Sequence, residues 1–187
     1  MLHVLITQLL DQEGIQPQDL LAVGVSRGPG SYTGLRIGVS AAKGLCFALQ
    51  IPLISMDTLA VLAQEYLRPE TRTVAVLDAR RDEVYLGVYD PQGNALMVPH
   101  PQVIEPGYFQ KSIFLEEKLH FVGSGADKCK EIDPVLGAEY HAAVWPHAAQ
   151  MAGQVFRSFE AGRFEDIAYF EPSYLKDFIA IKPQKKS

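Results

Sequence analysis

Cysteine is scarce in this 187-residue chain, with Cys46 and Cys129 the only two. Two thiols make no disulfide framework and no CxxC metal pair, so free thiols in a reducing compartment are expected. Tryptophan occurs once, at Trp145, and reads as an anchor in a core or at a lobe boundary rather than a base-stacking platform. No apolar run reaches about 18 residues and no charged leader with an apolar centre opens the chain, which predicts a cytoplasmic protein without a membrane partner. Positive charge is also in short supply. Seventeen Lys and Arg against 22 Asp and Glu give a net charge of -5. That balance argues against a free-standing nucleic-acid binder, because phosphate binding draws on a basic surface. The one basic cluster, Lys182, Lys185 and Lys186, reads as a solvated terminus.

What is present is ordinary globular composition, 48% apolar and 21% charged, in a chain long enough for a substantial core. In MLHVLITQLLDQE, Leu2, Leu5, Ile6, Leu9 and Leu10 share one helical face. Gly14 is the natural stop and Ile15 its hydrophobic neighbour. IQPQDL predicts a turn and LAVGVS a strand buried on both faces. A helix from Gly34 to about Leu49 with Thr33 at its cap, a strand IPLISM, and a helix DTLAVLAQEYL capped by Asp57 or Thr58 follow. This is the rhythm of a parallel α/β sheet. Arg68-Pro69-Glu70-Thr71 interrupts it. Beyond, TVAVLDA, EVYLGVYD and ALMVPHPQVI read as antiparallel strands. A weak helix near 106–112, a strand LHFVGS and a helix near 147–161 complete the pattern. The shift divides the chain into a first lobe, 1–70, and a second lobe with a tail, 71–187. The front is odd, because a two-stranded parallel sheet leaves edges and faces uncovered and LAVGV lacks a partner.

Residues 26–44, SRGPGSYTGLRIGVSAAKG, combine a brittle turn with a smooth helix. Gly28, Gly30, Ser31, Thr33 and Gly34 form a candidate anion or nucleotide turn, since a glycine-rich turn before a helix N-terminus can aim backbone N–H groups at a ligand. The spacing is neither that of a Walker loop nor GxGxxG. Behind it, Leu35, Val39, Ala42, Cys46 and Leu49 make one apolar stripe, and Gly34, Gly38, Ala41 and Leu45 a second of mostly small residues, with Ile37 and Ala48 beside them. A helix apolar on two faces buries both. One face can cover a sheet and the other can receive a partner helix or lie central in its own fold.

The blocks GPGSYTGLRIGVSAAKGL (Gly28–Leu45), DARRDEVY (Asp78–Tyr85) and EPSYLKD near the end resemble the TsaB (YeaZ) family of tRNA threonylcarbamoyladenosine biosynthesis, over about Leu2 to Lys176. The resemblance implies an α/β, actin/Hsp70/sugar-kinase-like (ribonuclease H-like) two-lobed fold. It implies a non-catalytic scaffold, a degenerate relative of the catalytic TsaD. Such a subunit forms a homodimer or pairs with the TsaD paralogue through helices of the first lobe, is joined by the ATPase TsaE, and meets tRNA only through the complex. Any ATP is then bound mainly by partner subunits. The family pattern opens with a strand, an Asp-Thr-Ser loop and two further strands, and roughly the first thirty-five residues of it are absent. The first lobe is thus expected to be truncated at its N-terminus, with an incomplete nucleotide site.

Family and residues together point to a partner interface of His3, Thr7 and Leu10 with Arg36, Ile37, Ser40, Ala41, Gly44 and Leu45. Gly38→Arg or Ala41→Glu is expected to weaken either dimer. Asp78 is a candidate cleft acid, although Asp78, Arg80, Arg81, Asp82 and Glu83 read first as a charged turn held by local ion pairs. His141 and His147, six apart with a proline between, do not match the i, i+3 or i, i+4 spacing of helical metal pairs, so no metal site is expected. Two other functions compete. An ATP-binding module rests on the glycine turn alone. A glycoprotease-like hydrolase would need a positioned base for Ser31 or a metal motif.

Overall fold

The structure, a computed structural model, describes residues 2–114 and 118–175. Lys182, Lys185, Lys186 and the last two residues of EPSYLKD lie outside the described residues. Helix α1 (Leu2–Glu13) ends as the sequence predicts. Gly14 takes φ +67°, its N–H donates to Asp11 O at 3.2 Å, and Ile15 N–H donates to Leu10 O at 2.9 Å, the paired bonds of a Schellman stop. The expected turn follows as a short 3-10 segment, Pro17–Asp19.

Strand β1 (Val23–Gly28), helix α2 (Tyr32–Leu49) and strand β2 (Leu53–Asp57) form a parallel β-α-β unit, with Val23 opposite Leu53 and Val25 opposite Ser55. Val39, Ala42 and Cys46 of α2 pack on Leu53 and Phe170, so of the two apolar stripes this is the one that covers the sheet. Helix α2 starts earlier than expected. Ser31, not Thr33, is the cap: its Oγ accepts from Gly34 N–H at 3.3 Å. Helix α3 (Thr58–Ala63) is capped by Asp57, whose Oδ1 accepts from Leu59 and Ala60 N–H at 2.9 and 3.3 Å.

The second sheet has the order β5-β4-β3-β6-β7. Strands β3 (Thr71–Arg80), β4 (Glu83–Tyr89) and β5 (Ala95–Val103) run antiparallel as a meander, while β6 (Lys118–Val122) and β7 (Glu139–His141) add in parallel. Helix α4 (Ala126–Ile132) lies between those last two. Both faces of this sheet are covered, which is why its central strands read as unbroken apolar runs. Val74, Val76, Val84, Leu86, Val88 and Phe121 pack on one face with Ile104, Phe109, Phe114 and Cys129. Ala75, Leu77, Tyr89 and Val122 pack on the other against Leu59, Leu62 and Ala63 of α3. The helix expected near 106–112 is instead two 3-10 turns, Tyr108–Gln110 and Ser112–Phe114. The first is fixed by Asp133, whose carboxylate accepts from Gly107 and Phe109 N–H at 2.8 and 2.7 Å.

The change of sheet at Thr71 coincides with the compositional break. The chain then returns. Helix α5 (Ala148–Glu160) packs on β2 and β1, Glu165 bridges to Leu53, and Phe170 enters the first core. Residues 148–175 therefore cover the first sheet, although the division at residue 70 assigned them to the second lobe. Among the described residues, the first sheet has two strands.

Candidate functional site

A cleft of about 840 Å³ opens between the two sheets. One wall is the turn Pro29–Thr33 with Leu35. The opposite wall is Leu77–Arg80 with Ser124 and Tyr85, and Trp145 and Tyr174 stand at the sides. The topology thus brings together two segments that the sequence singled out about fifty residues apart.

The glycine turn differs in detail from expectation. Gly28 alone of its three glycines has positive φ, +116°. It is buried, and a Cβ there would meet Ser173 O at 2.7 Å, because Ser173 N–H donates to Arg27 O at 2.7 Å across it. Gly34 N–H is already taken by Ser31 Oγ. What faces the cleft is Gly30, Ser31, Tyr32 and Thr33 at the start of α2.

Asp78 lines the opposite wall and is not free there. Its Oδ1 lies 2.5 Å from Lys128 Nζ and accepts from Arg80 N–H at 3.0 Å, while its own N–H donates to Ser124 Oγ. The Lys128 ammonium, then the Arg80 amide, hold the carboxyl below its usual range. Arg80 and Arg81 carry φ of +103° and +48°, conformations uncommon outside glycine that Asp78 helps to hold at the hairpin tip. Trp145 is 66% exposed, a cleft wall rather than a core anchor. The cleft lining contains neither histidine nor cysteine among the described residues, and Ser31 Oγ accepts from Gly34 N–H.

The proposed partner surface divides. His3, Thr7, Ile37, Ser40 and Gly44 are exposed, Leu10 and Leu45 half-buried. Ala41 is buried within the chain itself. Arg36 is exposed but engaged: its Nε donates to Tyr174 Oη at 3.1 Å and its guanidinium sits 4.3 Å over the Tyr32 ring. Helix α1 has no buried residue, and Val4, Leu5 and Leu9 are each more than half exposed. Phe47, which sequence reasoning passed over, is 72% exposed. Its signal was present, since Ile37, Ser40, Gly44 and Phe47 follow one helical stripe.

His141 and His147 have different neighbours. His147 faces Glu65 at 3.4 Å. His141 stands with His120 and Glu139 in a cluster whose ligand atoms lie within 4.8 Å of one another, a grouping that helical spacing rules did not reveal. Burial pushes the His120 ring below its usual range, toward the neutral imidazole. No helix among the described residues is long and apolar enough to cross a membrane.

The α/β fold, with one mixed sheet and a parallel β-α-β unit around an open cleft, is of the actin/Hsp70/sugar-kinase-like class. The family model described as "TsaD: tRNA N6-adenosine threonylcarbamoyltransferase" matches residues 1–181. The chain is similar to YeaZ from Pseudomonas aeruginosa, with a TM-score of 0.77 and 31% identity over 91% of this chain and 80% of that one. It is 34% identical to the TsaB protein of Bacillus subtilis over 72% of its own length, and it spans 60% of that relative. With the Escherichia coli TsaB protein it shares 29% identity, over 95% of this chain and 80% of the relative. The chain belongs to the TsaB/YeaZ group within the TsaD family.

Proposed function

We propose that this chain is a non-catalytic scaffold subunit in the biosynthesis of threonylcarbamoyladenosine in tRNA, acting as a homodimer and through a heterodimer with a TsaD-type transferase. The observation that carries this reading is the apolar surface of α1 and α2. Val4, Leu5, Leu9, Ile37 and Phe47 stand in solvent, and Gly38 and Gly44 leave open space above the backbone. Contiguous exposed apolar surface is costly to leave in water and marks interaction sites. Small residues beside it let a second helix approach closely. The relatives' names supply the process: they are called tRNA threonylcarbamoyladenosine biosynthesis proteins, and the family model carries the transferase's name.

The cleft supports a non-catalytic role for this chain. Among the described residues its one lining carboxylate, Asp78, is held by Lys128, and Ser31 is spent on a cap. Contact with tRNA then runs through the complex, consistent with the net charge of -5. An ATPase of the TsaE kind would join the pair, in the cytoplasm. The test is the solution mass of the purified chain by light scattering, alone and with the TsaD-type partner. Twice the 20.7 kDa chain mass, replaced by a one-to-one hetero-complex, is expected. A monomer in both conditions would overturn the reading.

A second reading is favoured by one observation, the start of α2 and the Arg80 hairpin facing each other across the cleft. It makes this chain an ATP-binding module. Saturable ATP binding to the chain alone would select it, and binding only in the hetero-complex would select the scaffold.

A further inference from the structure

We propose that His120, Glu139 and His141 form a binding site for one divalent transition-metal ion, zinc by preference, at the β7 edge of the second sheet and outside the cleft. The parallel register sets His120 opposite Glu139 and Val122 opposite His141. All three ligand side chains therefore rise from the same face, two from one strand at i, i+2 and one from its neighbour. Glu139 Oε2 is 3.5 Å from His120 Nε2 and 3.6 Å from His141 Nε2. A tetrahedral ion with bonds of about 2.0–2.1 Å holds its ligand atoms about 3.3 Å apart, so both Glu139–histidine spacings are within a few tenths of an ångström of that value, and the set as a whole, within 4.8 Å, closes the rest by side-chain rotation.

The chemistry of the donors agrees with the spacing. Two imidazoles and one carboxylate are a ligand set that zinc accepts, with a fourth position left for water. Glu139 is 55% exposed at its side chain and His141 32%, so solvent reaches that position, while His120 is buried. The buried nitrogens His141 Nε2 and His120 Nδ1 have no hydrogen-bond partner. Buried polar atoms are seldom left so, and a cation at the centre satisfies the His141 lone pair. The Tyr66 ring, 4.9 Å from that of His141, fixes the plane of that ligand, as outer contacts do at metal centres. Arg68 lies 3.8 Å from Glu139 and is itself half-exposed, so it swings into solvent at little cost when an ion arrives.

The full chain, stripped with a chelator and dialysed, is titrated with Zn²⁺ by calorimetry and with Co²⁺ by visible absorption. One ion per chain, tetrahedral Co²⁺ bands and a Tm raised by Zn²⁺ are expected. Glu139→Gln should weaken binding at least about 10-fold and His141→Ala should remove the Co²⁺ bands. Both positions are on an edge strand, Glu139 exposed and His141 half-buried, so the stripped Glu139→Gln variant should keep the wild-type Tm and the stripped His141→Ala variant should still melt cooperatively. His147→Ala should bind as wild type. No saturable binding by the wild type, or unchanged binding by Glu139→Gln and His141→Ala, would overturn the proposal.

Discussion

Val155 of α5 lies directly over the backbone of Gly24 in β1, so that a Cβ at Gly24 would stand 2.7 Å from Val155 Cγ2. The glycine in LAVGVS is thus the seat of the helix that closes the first sheet. Gly24→Ala should destabilise the chain by about 1–3 kcal/mol, the usual cost of overpacking a fitted contact. In a chain of this length that is a fall in Tm of several degrees. Adding Val155→Ala to Gly24→Ala should recover part of the loss, and thermal melts of the three variants decide it. Additive losses in the double variant would remove the contact from consideration.

Ile37→Glu and Gly44→Arg separate association from folding. Ile37 is 55% exposed and a side chain at Gly44 meets nothing within 4 Å, so neither change should prevent the chain from folding as a monomer. Both should lower self-association and hetero-association in light scattering, by charge or bulk placed in a close contact. Ala41→Glu should behave differently. Ala41 is buried in the chain, and Glu there should unfold it rather than merely release a partner. Equal association by all three variants would discard the interface on α2.

The Asp78–Lys128 pair should show its sign in acid. The carboxyl is held below its usual range in the folded chain, so its contribution is present above about pH 3.9, the unfolded value, and is lost as the pH falls through the folded one. Both partners touch solvent, and the contribution is about 0–1 kcal/mol. Lys128→Met should be slightly less stable than wild type in urea at neutral pH, with the difference shrinking as the pH falls below about 3.9. A difference that stays constant there would mean that Lys128 acts through packing alone.

Cys129 should respond at the opposite end of the scale. Burial in the second core pushes its thiol up to about 12, against about 8.5 for an exposed thiol. The neutral form is favoured by folding, so the stability it brings is complete below about pH 8.5 and declines as the pH rises toward the folded value. Urea melts between pH 7 and pH 10 should show a falling stability that Cys129→Ala makes shallower. At pH 8 a thiol reagent should label neither Cys46 nor Cys129 in the native chain, since both are buried, and both once urea is added.

Much of the fold was legible because local chemistry decided it. Gly14 with Ile15, Asp57 at its cap, and the long apolar strands each carry their signal within a few residues. Thr33 was mistaken for the cap because Ser31 offers the same hydroxyl two residues earlier, and only geometry shows which oxygen meets Gly34 N–H. The segment near 106–112, with Pro106 and Gly107 at its start, is at best a weak helix former, and the carboxylate of Asp133 holds its amides in a tighter turn. Strand β7 is three residues long and contains a glutamate and a histidine, so no periodicity announces it. The grouping at His120 depends on that strand's register with β6. Spacing within one helix could not reveal ligands delivered by two strands.

The chain passes between the sheets twice, outward through α3 and back through residues 142–147. Helix α3 packs on strands of both sheets, so with the return at 142–147 it sets how far apart the cleft walls stand, as hinges set a door in its frame. The distance from Ser31 on the first sheet's side to Asp78 on the second's follows that separation, and a pair of probes at those positions would report whether a bound partner opens or shuts the door.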